Sequence, residues 1–151
     1  MPKRILELPT IRRVVEAGDV VITCGGGGIP VIHDAEKGLR GVAAVIDKDY
    51  ASALLAREIG ARQLLILTAV DRVAINFGKS DERALSAMTV ADARRWLGEG
   101  QFPAGSMGPK VQAAVEFLEH SKDPQAEAII GPLDGAVDAI AGRAGTRITR
   151  S

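Results

Sequence analysis

Short apolar runs alternate along this chain with longer stretches of helical spacing, and that alternation leaves few folds open. Val20-Val-Ile-Thr23, Leu64-Leu-Ile-Leu67, Glu127-Ala-Ile-Ile130 and Thr146-Arg-Ile-Thr149 have the length and side-chain character of strands. Over Asp49–Ile59 the residues Ala51, Leu54, Leu55 and Ile59 share one helical face, and Gly60 stands at the expected stop. Further helices are expected over Ile11–Ala17 with Thr10 as cap, around Glu82–Met88, over Thr89–Leu97, along Val111–Leu118 after Pro109, and over Leu133–Ile140 opened by Pro132. Asp92, three residues after Thr89, adds a capping box of imperfect type. Val31-Ile32 and Val42–Ile46 bracket the polar turn Asp34-Ala-Glu-Lys-Gly38 and read as a hairpin. Strands alternating with helices imply an α/β three-layer sandwich around a mostly parallel sheet. With no repeat, linker or low-complexity tract, residues 1–151 form one unit, or one piece of something larger.

Composition narrows the classes of partner. Nineteen basic and nineteen acidic side chains cancel, so no global field favours nucleic acid or an anionic membrane. A single cysteine excludes an internal disulfide and fits a reducing, cytoplasmic setting. Met1-Pro-Lys-Arg-Ile-Leu-Glu7 lacks the apolar centre of a signal peptide, and no apolar run approaches the roughly 20 residues needed to span a bilayer. His33 and His120 have no partner at ligand spacing, so no metal site is expected. Cys24 reads as a small core residue, Trp96 as core or interface, and Arg94, Arg95 and Arg147 as solvated surface.

Three segments carry the chemistry. In Gly105-Ser-Met-Gly-Pro-Lys-Val111 a lysine occupies a helix start, where a cation opposes the macrodipole unless an anion compensates. Free N–H groups and Lys110 at one helix start would suit a phosphate, although an exposed lysine can also simply point into solvent. Cys24-Gly-Gly-Gly-Gly-Ile-Pro30 follows an expected strand, and four successive glycines are entropically costly unless a ligand approaches the backbone there. No Gly-Lys-Ser/Thr closes this loop and no helix follows it, so it is neither a Walker loop nor a dinucleotide fingerprint. In Ile46-Asp-Lys-Asp49 a lysine lies between two carboxylates at a helix start. An aspartate near two lysines can hold both ammonium groups, as phosphoryl transfer requires, although a capped helix with an exposed charge pair would look the same. Thr68-Ala-Val-Asp71 lies at the carboxyl end of a strand, where α/β sheets place ligands, and Asn76-Phe-Gly-Lys79 could frame a base.

Taken in order, Cys24–Pro30, Val45–Ala56, Leu65–Asp71, Ile75–Lys79 and Gly105–Val111 resemble the carbamate kinases of the amino acid kinase superfamily, and the likeness continues through Gly145-Thr-Arg-Ile148. It covers only the carboxyl-terminal, nucleotide-binding half of such an enzyme; the amino-terminal half, with its Gly-Gly-Asn-Ala phosphate loop and most of the carbamate site, is not among these residues. The resemblance implies reversible phosphoryl transfer between ATP–Mg²⁺ and carbamate, giving carbamoyl phosphate and ADP. It implies that Lys110 stabilises the transferring group, that Asp49 organises the site, that Lys48 contacts phosphate and that Asp47 supports them. Thr68, Ala69, Val70, Asp71, Asn76, Phe77 and Met107 would line the adenosine pocket, and Gly25, Gly26, Gly27 and Gly28 would face carbamate and phosphate. The isolated chain is expected to be inactive, and a complementary amino-terminal half or a second copy to be its partner. A non-catalytic nucleotide-binding module of the same fold is the alternative, as is a structural fragment that binds nothing.

Overall fold

A computed structural model describes residues 1–151. Its main sheet runs β3 (Gln63–Thr68), β7 (Glu127–Pro132), β8 (Thr146–Thr149), β6 (Ala87–Thr89). The β3–β7 and β6–β8 pairings are parallel and only β7–β8 is antiparallel, so the sheet is mostly parallel as expected. Two small hairpins stand apart from it: β1 (Val31–Asp34) with β2 (Gly38–Gly41), and β4 (Ala74–Ile75) with β5 (Arg83–Ala84).

The long helix α4 (Met107–His120) supplies the core. Val111, Ala114, Val115, Phe117 and Leu118 are buried with Leu64, Ile66, Ala128, Ile130 and Ile148 of the sheet. Helices α2 (Lys48–Ile59) and α3 (Val90–Gly98) pack against α4. On the sheet's other face lies α5 (Ala136–Ile140), which approaches closely because Gly131 has no side chain; a Cβ there would sit 3.1 Å from that of Ala139. Helix layer, sheet and the single short helix make the three layers. Apolar burial of this kind is worth about 1.5–3 kcal/mol per large side chain.

Several helix ends follow the sequence. Thr89 caps α3 through a full capping box with Asp92, and Gly60 closes α2 in the left-handed conformation. Other expectations fail. Val20–Thr23 forms no strand: Ile22 is 98% exposed, and no neighbouring strand pairs with it. Cys24 is therefore not the end of a buried strand but a half-buried loop residue with φ 63°. The hairpin's return strand is Gly38–Gly41 rather than Val42–Ile46, because the tight turn pairs Asp34 with Gly38; Val45 is left 94% exposed.

The segment around Glu82–Met88 is extended rather than helical, since tertiary pairing overrides its local preference. Leu85 donates its N–H to the Val73 carbonyl, and Met88 pairs with Ile148. Helix α1 (Leu8–Glu16) begins before Thr10, whose own N–H bonds to Glu7, because Pro9 suits the first turn. Likewise α4 begins at Met107, ahead of Pro109. Pro132 ends β7 instead of opening a helix: the Leu133 N–H is held by the Thr68 carbonyl, and α5 starts only after Gly135. Arg94 and Arg147 are not free surface charges, for they bind Glu119 and Glu127. Trp96 is core, with Arg95 beside its ring.

Candidate functional site

Two helix starts from distant parts of the sequence meet on one carboxylate. Asp47 caps α2, its side chain accepting the Asp49 N–H at 2.7 Å, which turns the Asp49 side chain inward along the first turn. Asp49 is only 7% exposed. One of its oxygens accepts from Lys110 Nζ at 2.8 Å, and the other lies 3.6 Å from Lys48 Nζ. A buried carboxylate without partners would be costly, and here it carries two ammonium groups.

The two lysines differ. The Lys110 side chain is 14% exposed and hydrogen-bonded to Asp49, whereas that of Lys48 is 58% exposed and only ion-paired. Two cations thus stand at two helix N-termini, but the expected free N–H groups are few. The Gly108 N–H is taken by the Pro103 carbonyl, Pro109 has none, and the Asp49 N–H is taken by Asp47, so the lysines are the main attraction for an anion. Ser106 precedes α4 without capping it through its side chain. The neighbouring Tyr50 phenol is pushed up from its ordinary range by burial and then by the nearby carboxylates Asp47, Glu116 and Asp49.

The glycine loop closes over the same place. Gly27 takes φ 129°, and a Cβ there would lie 1.8 Å from the Ile46 carbonyl oxygen, so only glycine lets the loop rest on the chain entering α2. Its N–H is held by the Cys24 carbonyl at 2.7 Å. Around it a cleft of about 460 Å³ is lined by Gly25, Gly26, Gly28 and the stretch Ala44–Ile46. The structure therefore brings Asp47, Lys48, Asp49 and Lys110 together, with Gly27 resting on the backbone that enters α2 beside them.

The segments expected to line the adenosine pocket lie farther along. Thr68 ends β3, and Ala69, Val70 and Asp71 are exposed in the turn that follows, with no hydrogen bond to the lysine–aspartate cluster. Asn76 has φ 54°, Phe77 is exposed, and Met107 packs partly into the core. Sequence reasoning passed over Gln101, Asp81 and Glu82, whose side chains hold the Asn76–Gly78 turn. Their signal was faint: isolated polar residues near glycines, with partners far away or in a loop. It also passed over Thr146, fully buried, which accepts from the Val73 N–H and donates to the Leu85 carbonyl.

The model of the amino acid kinase family matches residues 1–129. The chain belongs to the amino acid kinase family. Among curated relatives of this family member, a carbamate kinase-like protein of Escherichia coli is 51% identical over 147 residues, covering 97% of this chain and 46% of its own length. The carbamate kinase of Thermococcus kodakarensis is 48% identical, covering 99% and 46%. Among solved structures, carbamate kinase from Giardia lamblia bound to AMP-PNP superposes with a TM-score of 0.93 at 41% identity, over 99% of this chain and 51% of that one. UMP kinase from Bacillus anthracis, at 16% identity and a TM-score of 0.62, shares the fold alone. The chain spans about half the length of the curated relatives it matches. No helix is long and apolar enough to cross a membrane.

Proposed function

We propose that this amino acid kinase family member is the nucleotide-holding half of a carbamate kinase, moving a phosphoryl group between ATP–Mg²⁺ and carbamate. The observation that carries the reading is Asp49 holding Lys110 and Lys48 at two helix N-termini. In the transfer, an oxygen of carbamate bonds to the γ-phosphorus while the bond to the bridging oxygen of ADP breaks. Charge spreads over the phosphoryl oxygens, and positioned cations stabilise it. Lys110, hydrogen-bonded to Asp49, would meet the transferring group, and the more exposed Lys48 would contact phosphate oxygens.

Asp49 does not serve as a base in this scheme. Each of its oxygens faces an ammonium group, which favours the ionised carboxylate, and its role is to place those groups. Magnesium would arrive within the substrate complex: no three His, Cys, Asp or Glu side chains cluster as a metal nest, Asp49 is engaged by lysines, and Asp47 caps its helix. Thr68–Asp71, Asn76, Phe77 and Met107 would hold adenosine, with Gly25–Gly28 facing the phosphate and carbamate side. Carbamate would be bound mainly by polypeptide beyond these residues, in the same chain or a separate one, and turnover needs that complement.

The simpler reading, a nucleotide-binding module without catalysis, does not call for a buried aspartate organising two lysines. Titrating the folded chain with ADP by calorimetry tests the proposal. Weak binding is expected, and an absence of heat at millimolar nucleotide would refute it.

A further inference from the structure

The turn after β4 is held in a left-handed shape by three side chains, one of them from outside the hairpin. Asn76 is one of only two non-glycine residues with positive φ, a conformation asparagine tolerates better than most residues, and its surroundings hold it there. Three side chains do so. Gln101 Oε1 accepts the Asn76 backbone N–H at 2.9 Å, Asp81 accepts from Asn76 Nδ2 at 2.8 Å, and Glu82 accepts the Gly78 N–H at 2.8 Å. Asp81 and Glu82 belong to the hairpin itself. Gln101 does not.

Gln101 lies between α3 and α4, and its own N–H is fixed by the Trp96 carbonyl at 2.9 Å. The next residue, Phe102, is buried in the core, and Gly108 then bonds back to Pro103 as α4 begins. Lys110 follows within the first turn of that helix. A single side-chain oxygen therefore fastens the Asn76–Phe77 turn to the connection that launches the catalytic-lysine helix.

We propose that Gln101 is a positioning residue for nucleotide: it holds Asn76 in the left-handed conformation and so sets the adenosine-facing turn at a fixed spacing from Lys110. This rests on the adenosine placement proposed above. The acceptor oxygen is what matters, because Asn76 needs its partly buried N–H satisfied in that shape. Gln101→Glu keeps an acceptor, whereas Gln101→Leu keeps bulk and removes it. Gln101→Ala, at a half-exposed loop position, is the safer second variant for folding.

Each form is titrated with ADP, and hydrogen exchange is followed at the Asn76 amide, with thermal melts as the folding check. Gln101→Leu and Gln101→Ala should bind roughly tenfold more weakly and exchange the Asn76 amide faster, while Gln101→Glu stays near wild type in both. Unchanged affinity in folded Gln101→Leu or Gln101→Ala, with the wild type binding, overturns this inference and leaves the adenosine placement standing. Equal losses in Gln101→Glu also overturn it, since an acceptor would then not be the cause. A protected Asn76 amide in a wild-type chain that binds no ADP refutes the adenosine placement, and this inference falls with it.

Discussion

Val20-Val-Ile-Thr23 and Ala128-Ile-Ile130 are written in nearly the same alphabet, yet one lies open to solvent and the other is among the most buried parts of the molecule. Side-chain character does not separate them. β7 has β3 on one side and β8 on the other, so its backbone groups are paired and both of its faces are covered. Val20–Thr23 has no strand beside it, and Val42–Ile46 continues the hairpin's pairing only at Val42, whose N–H reaches the Pro30 carbonyl. An apolar run becomes a strand only where a neighbour can take up its hydrogen bonds. Beyond α1, the molecule thus has two regions of unlike standing: residues from Lys48 onward, which build their own core, and residues 18–47, which leave most of their apolar side chains exposed. The Asp49 cluster sits on the border.

The largest expected effect probes that border. In the full carbamate kinase proposed above, Lys110→Ala should lower the rate by roughly 10²–10³-fold, by analogy with losing one preorganised donor, while nucleotide affinity changes much less. Lys110→Arg should not restore full activity, because a planar fork cannot replace a compact ammonium. Steady-state kinetics beside a circular dichroism check decides the matter; an unchanged kcat in a folded variant would make Lys110 a mere helix-start charge.

A paired substitution sharpens the contrast between the regions. Ile130→Ala should cost about 2–5 kcal/mol in denaturant unfolding of this chain, and Ile22→Ala no more than about 0.5 kcal/mol. If the two costs were alike, residues 18–47 would have an apolar contact that the structure does not show. The smallest effect concerns the sheet's rim. Arg147 donates to Glu127 and holds its carboxyl below the usual glutamate range, with burial opposing and Gln63 assisting. A carboxyl depressed in the folded state stabilises above its unfolded pKa and ceases to as pH falls through the folded one. Solvent screening keeps this small, so Glu127→Gln should cost under about 1 kcal/mol at neutral pH, and the cost should vanish in acid. Urea midpoints at several pH values measure it; a cost that grows in acid would contradict the assignment.

What could be read from the sequence follows the same division. The elements whose packing is self-contained were legible: α2 with Gly60, α3 with its Thr89 cap, α4, β3, β7 and β8. The meeting of Lys48, Asp49 and Lys110 was anticipated from two lysines at helix starts, and the structure brings them together. The misread stretches depend on distant partners. Leu85 and Met88 are extended because Val73, Thr146 and Ile148 hold them so, and nothing within residues 82–88 announces that. Gln101 was missed for the same reason, its hydrogen-bond partner lying twenty-five positions away.

The four glycines of the loop, alike in sequence, offer unlike opportunities for an experimenter. Gly27 is closed to substitution by the Ile46 carbonyl, whereas Gly26 alone combines open space around its absent Cβ with a backbone any residue can adopt. A cysteine placed at Gly26, with the native Cys24 replaced, would carry a fluorophore at the mouth of the cleft. The loop that most resists redesign at one position is thus an optical port at the position before it, reporting on whatever changes the cleft beside it.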